Sequence, residues 1–302
     1  MLTSNIIMYK LLDWIPEDSL DYDEVLYNPL GEQLLRKHVC DLTDYNEFSR
    51  YMTDSITLQE NKDKLNWDDL SENKNAIHLL TNNKDKINWR RLSLNTGAID
   101  LLSRNLDKVH WDLLSSNPNA IHILEQHPDK IDWKYLSRNP NAIHLIEANQ
   151  DKVDWKILCL NPKATHLITF DNIDWQMLSS NEGALHILNN NSDKIHWDHV
   201  CDNISPNKSW LYKNHLFKVD SSELSSHIDD VSLLKDIDWT SLPYNPHAIQ
   251  LLSQNQDKFD FKSLSQNPSI FEYDYTKMRE TKYTLYQELM DQEFIVLLPT
   301  TH

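Results

Sequence analysis

Glycine is nearly absent from this chain. Only Gly31, Gly97 and Gly183 occur among 302 residues, where ordinary usage of ~7% gives about 21. No two stand close enough for the G-x-G-x-x-G or G-x-x-x-x-G-K-[ST] phosphate cradles. The G-x-S-x-G nucleophile elbow is excluded on the same ground. Tight hairpins lean on residues that tolerate positive φ, so a hairpin-rich all-β fold is disfavoured as well. Cysteine is scarce: Cys40, Cys159 and Cys201 are an odd number, which does not suit a disulfide framework in so long a chain and points to a reducing compartment. Positive charge is also short, with 29 Lys and Arg against 46 Asp and Glu, a net −17. Such a surface repels phosphate backbones, so nucleic acid is not an expected partner. The longest apolar run, Phe294 to Leu298, falls far below the ~20 residues of a membrane helix. The opening MLTSNIIMYKLLDW lacks the basic and apolar regions of a secretory signal. An acidic intracellular protein without a membrane partner is expected.

What is present is a repeat, the feature to seek first. Trp67, Trp89, Trp111, Trp133 and Trp155 follow at steps of 22; Trp175 comes 20 later, after a two-residue deletion near Phe170, and Trp197 restores the step. Trp239 lies 42 further on, leaving room for one degenerate unit centred on Ser221, and Phe261, Tyr45 and Tyr22 occupy outlying slots. Twelve units tile roughly residues 20–275, eight with tryptophan in the key slot. The consensus is N-P-x-A-I-H-L-L-x-x-N-x-D-K-I-D-W-x-x-L-S-x.

Each unit translates into two short helices. Asparagine six residues after the aromatic (Asn117, Asn139, Asn161 and others), often followed by proline, is a helix start. The helix after it buries a face such as Ala142, Ile143, Leu145 and Ile146. A second asparagine, as at Asn83, Asn105, Asn149, Asn191 and Asn255, is placed for a left-handed C-terminal cap. The residue before the aromatic is Asp or Asn in ten of twelve units and caps a second helix of about one and a half turns. Helices this short are marginal alone, so unit must stack on unit. The fold class expected is all-α: an α-solenoid of about twelve short helix-pair repeats with a helical C-terminal cap. Its parts are an N-terminal cap segment (1–19), the solenoid (20–275, degenerate near 203–235) and a C-terminal capping helix and tail (276–302). The tryptophan ring is expected to lead the core, and the stack to trace an open arc of roughly 100–120 Å.

The phrases NPNAIHILEQHPDKIDWKYLSRNPNAIHLIEANQDKVDW and NPSIFEYDYTKMRETKYTLYQELM resemble the short tryptophan repeats, and their closing segment, of giant amoeba-infecting DNA viruses of the mimivirus kind. The resemblance spans nearly the whole chain. It implies a viral intracellular repeat protein and supplies no activity. The stretch 197–239 and the terminal FIVLLPTTH, which lacks a basic tail, depart from the pattern.

No residue pair breaks out of the repeat frame as a catalytic set, so the chain is read as no enzyme, with no cofactor. His78, His122, His144, His166 and His186 share the slot eleven after the tryptophan and point away from the apolar face. They form an exposed ladder whose rungs, ~10 Å apart, cannot share a metal with ~2.0–2.1 Å ligand bonds. Cys159 and Cys201 fall in a slot that is otherwise mostly serine, where a small residue meets the neighbouring helix. The pair after the tryptophan varies most, and Arg90, Arg91, Lys134, Tyr135 and Lys156 in it make the candidate protein-binding patch, with the histidine ladder second. The functional expectation is non-catalytic protein binding by a viral adaptor or scaffold in the infected cell, with a host or viral protein as partner. A packaged virion component and a substrate receptor of a ubiquitin ligase are the alternatives.

Overall fold

A computed structural model describes residues 8–200 and 219–284. The described chain is mostly helical, and its one sheet is a two-stranded antiparallel pair, β1 (Tyr9–Leu11) with β2 (Phe271–Tyr273). Cys201, Asn203, the first part of 203–235 and the tail from 285 lie outside the described residues.

The helix headed by the aromatic forms as the sequence dictates. Before Trp133–Ser137, the Asp132 carboxylate accepts from Tyr135 N; Asn66, Asn88, Asp154 and Asp174 do the same for their helices. His110 gives no side-chain cap, yet Trp111–Ser116 still forms, because packing rather than the cap holds so short a helix. The asparagine-headed helix is split. Asn117 caps only a tight turn, accepting from Asn119 N at 3.1 Å, and the α-helix Ile121–Gln126 begins after Ala120. After Trp155 the two-residue deletion reduces this helix to the single turn Thr165–Leu167. The next repeat is drawn so close that a Cβ on Gly183 would fall on the Pro162 carbonyl oxygen.

Two expectations about side chains fail. The asparagines at the helix ends are not left-handed; no non-glycine residue among those described has positive φ. Asn83 lies at φ −134° and instead turns its amide back, Nδ2 donating to Leu79 O at 2.8 Å. Asn105, Asn149, Asn191 and Asn255 repeat the bond to the carbonyl four residues earlier. This satisfies a free helix-end carbonyl without glycine, which is how a chain with three glycines ends so many helices. Nor does tryptophan lead the core. The repeat tryptophans are half-buried, and the fully buried large side chains include Leu70, Leu92, Leu114, Leu136, Leu102 and Leu124. The indoles stand at the edge, and four carry a lysine from the next repeat over the ring: Lys86 over Trp67 (4.4 Å), Lys108 over Trp89 (4.8 Å), Lys152 over Trp133 (5.1 Å) and Lys258 over Trp239 (4.6 Å).

Between repeats runs a buried polar ladder. Asn139, wholly buried, donates through Nδ2 to Ser115 O (3.0 Å) and Asn117 O (3.1 Å) of the preceding repeat. Asn161 donates in the same way to Ser137 O and Asn139 O, and Asn117 to Ser93 O and Asn95 O. The buried serine makes a second rung: Ser137 Oγ donates to Trp133 O and accepts from Asp154 N of the following repeat. Cys159 fills this slot with sulfur, accepting from Asp174 N at 3.3 Å, and burial pushes its thiol pKa up. Ser221–His227 behaves as a unit despite serine in the aromatic slot: Asp220 caps it, Leu224 and Ser225 are buried, and Ser225 Oγ accepts from Asp238 N.

The same ladder joins the two ends of the chain. Asn28 in the first repeat donates to Ser265 O (3.0 Å) and Asn267 O (2.9 Å) in the last, and Asp21 N donates to Ser265 Oγ at 2.9 Å. Around this join β1 pairs with β2 in the register Lys10 to Glu272. Leu12 N donates to Ile270 O, and the Trp14 and Phe261 rings stand 6.1 Å apart. The expectation of an elongated arc, each end closed by its own capping segment, is therefore overturned. The helix expected to cap the stack, described over 275–284, is largely exposed; the face it was to cover is occupied by the first repeat and by residues 9–15.

Candidate binding surface

Counting from the aromatic, the third and fourth residues of each short helix are buried, as Leu136 and Ser137 are. With 100° per residue, the first, second and fifth residues share the opposite face. Neighbouring helices bring these faces into one band. The fifth residue of one repeat meets the second of the next: the Tyr27 hydroxyl donates to Glu47 Oε2 at 2.6 Å and Arg50 binds Asp69. At the join of the chain ends Gln266 Nε2 donates to Glu24 Oε2. First residues also meet, with Arg90 Nη1 3.7 Å from Asp112 Oδ2, and Gln176 Nε2 lies 2.8 Å from His199 Nε2.

The band changes character along the chain. From Tyr27 to Arg91 it is an ion-pair cluster. Arg50 and Arg91 converge on the same Oδ1 of Asp69, itself 7% exposed, and both reach Glu72, at 3.4 and 3.3 Å. The Glu47 carboxylate, as hydrogen-bond acceptor, pushes the Tyr27 hydroxyl pKa well above its ordinary value. From Leu94 to Met177 the second and fifth slots turn mostly aliphatic or aromatic, with Ser116 and Arg138 the exceptions. From Ser222 onward they are mostly hydroxyl-bearing, with Ser222 Oγ 2.7 Å from Ser241 Oγ.

The candidate residues divide accordingly. Arg91 is committed to Asp69 and Glu72 and holds two repeats together. Arg90, Lys134 and Lys156 are exposed and Tyr135 is half-buried, all on the band. Lys156 Nζ lies 3.4 Å from Asp174 Oδ2. His78, His122, His144, His166 and His186 are all exposed but lie on the other helix, off the band. His144 Nε2 lies 2.8 Å from Glu125 Oε1 and His166 Nε2 3.1 Å from Glu147 Oε1, so two rungs pair with the preceding repeat. No cluster of three or more His, Cys, Asp or Glu suited to a metal occurs among the described residues. No described helix is long and apolar enough to cross a membrane.

Sequence reasoning missed Leu94, Leu113, Arg138, Ile157, Leu160 and Met177, which share the band with Tyr135. The signal was available: aliphatic residues recur in slots that other repeats fill with Glu, Asp, Arg or Ser. It carried no weight until the bonds between neighbouring helices placed those slots on one surface. No family model, curated protein or solved structure matches the chain.

Proposed function

We propose that the chain is a non-catalytic protein-binding solenoid of twelve helix-pair units, bent round until the last unit stacks on the first. The pair of bonds from Asn28 to Ser265 and Asn267 supports the closed arrangement, since they repeat the bonds between neighbours along the chain. The tryptophan-headed helices then form the inner layer. In support, Trp133–Ser137 lies directly against Trp111–Ser116 and Trp155–Leu158, and the closer-packed layer of a curved stack is the concave one.

The single observation that carries the binding role is the band itself, a face whose backbone repeats from helix to helix among the described residues while its side chains change. A rigid scaffold with variable exposed positions is how repeat proteins present a binding surface. The resemblance to viral tryptophan repeats makes the partner a host or viral protein met inside an infected cell. The test is quantitative mass spectrometry of proteins retained by the tagged chain from a lysate of cells that express it. The control carries Arg90→Glu, Lys134→Glu and Tyr135→Ser. One protein retained near stoichiometry and lost with the control supports the adaptor reading; particle proteins retained equally by both would replace it with a virion role.

A further inference from the structure

We infer that the stretch of the band from Leu94 to Leu160 is a docking surface for an acidic amphipathic segment of a partner protein. This rests on the protein-binding reading above and names the chemistry of its partner.

Three observations converge on it. The first is apolar surface without a partner. Leu94 is 40% exposed, and Leu113, Tyr135, Ile157 and Leu160 are half-buried. None of these five belongs to the side chains packed on the hydrophobic core. They occupy slots that point away from the core helix face, so folding of this chain gives no reason for their apolar character. In earlier repeats the same slots hold Glu47, Arg50, Asp69 and Glu72, and in later ones Ser226, Ser241 and Ser263. The Tyr135 hydroxyl makes no hydrogen bond among the described residues, whereas that of Tyr27, also on the band, is bound to Glu47.

The second is charge. Arg90, Lys134, Arg138 and Lys156 are exposed beside this apolar stretch, in a chain whose net charge is −17. Lys134 and Arg138 form no ion pair among the described residues. Arg90 and Lys156 reach only the single carboxylates Asp112 and Asp174, at 3.7 and 3.4 Å. An apolar strip flanked by cations matches a segment with leucine-like residues on one face and carboxylates beside them. Arginine and tyrosine at its centre are the residues that anchor such contacts.

The third is confinement. On the amino-terminal side the strip is bounded by the ion-pair cluster of Arg50, Asp69, Glu72 and Arg91, and on the carboxy-terminal side the helix Trp197–Val200 places Asp198 and His199 in the first and second slots. A short segment fits between these limits, beyond which charged and polar side chains take the slots that the apolar ones hold here.

The experiment is selection of a displayed random-peptide library on the full-length chain, with parallel selection on Leu113→Ser/Ile157→Ser and Lys134→Glu/Arg138→Glu. Because the four side chains lie outside the core, both variants should keep the thermal midpoint of the parent. Sequences enriched on the parent should carry Asp or Glu around apolar residues spaced three and four apart. The best peptide, labelled for fluorescence anisotropy, should bind each variant about tenfold or more weakly and lose affinity with added salt. Enrichment of basic or purely apolar peptides overturns the inference. Acidic peptides held equally by parent and variants place the site elsewhere and leave the protein-binding reading standing. Failure of the parent to enrich any sequence sinks both, and tighter binding of a single-stranded oligonucleotide probe than of the best peptide replaces the partner class.

Discussion

The asparagine six residues after each aromatic has two functions that a sequence presents as one. Its Oδ1 caps the next turn, Asn139 accepting from Asn141 N at 3.0 Å, while its Nδ2 binds two carbonyls of the preceding repeat. Replacing Asn139 by Ala leaves the Ser115 and Asn117 carbonyls buried without this donor, at a cost of about 2 kcal/mol or more. Asn119, an exposed neighbour whose Nδ2 bonds Thr96 O at the surface, should cost well under half of that when changed to Ala. Urea unfolding of the two variants checks the ranking. His38 provides a pH-dependent counterpart near the join of the ends. Burial pulls its pKa down, but Glu17 at 2.8 Å and Asp41 at 2.8 Å outweigh this and the net shift is upward. A folded-state pKa above the unfolded value means the stability it contributes is complete below about pH 6.5 and lost as pH rises through the raised value. The unfolding midpoints of the parent and His38→Gln should differ most near pH 5.5 and converge at alkaline pH. A gap that widens with pH would refute this assignment.

Within an element, the tryptophan helix shows how far a striking residue can mislead. The eight repeat tryptophans suggest an aromatic core, yet the aliphatic residue three positions later is the one fully buried, as Leu136 is. The indole has one face on the core edge and the other under a lysine. Leu136→Ala should therefore cost about 2–5 kcal/mol, whereas Lys152→Ala, which removes an exposed cation–π contact at 5.1 Å and an exposed hydrogen bond to Asn149 Oδ1 at 3.3 Å, should cost about 1 kcal/mol. Thermal unfolding of both variants tests that order. Element identity was legible: Asp or Asn before the aromatic did cap the aromatic-headed helix. The helix ends were not, because Asn149 and its counterparts could satisfy a carbonyl either by a left-handed backbone or by the side-chain amide, and the sequence is the same for both.

For the whole molecule the decisive contact is between its ends. Lys10 and Glu272 are paired across β1 and β2, with Lys10 Nζ 2.9 Å from Glu272 Oε1. In a Cys40→Ser background, Lys10→Cys with Glu272→Cys should form a disulfide within one chain, since paired strand positions fall inside the range a disulfide spans. A faster-migrating monomer on a non-reducing gel is the expected result. Cross-linked dimers would show instead that the first repeat of one copy stacks on the last repeat of another. The candidate surface belongs to this scale too. Arg90, Lys134, Tyr135 and Lys156 were visible as variable positions. Arg91 looked equivalent to them until Asp69 was seen to hold it, and Leu94, Ile157 and Leu160 became a surface only when neighbouring helices aligned.

The sequence by itself determined the unit: its length of 22, its two helices, the caps at the helix starts, the small residue in the serine slot, and the absence of glycine-built sites. These follow from interactions within about one repeat or between adjacent ones, where spacing alone specifies the geometry. The tertiary structure decided the closure of the chain, the edge position of the tryptophans and the membership of the band. Curvature accumulates from a small rotation at every interface. Whether that sum brings Asn28 to Ser265 depends on packing between all the repeats together, which no single spacing records.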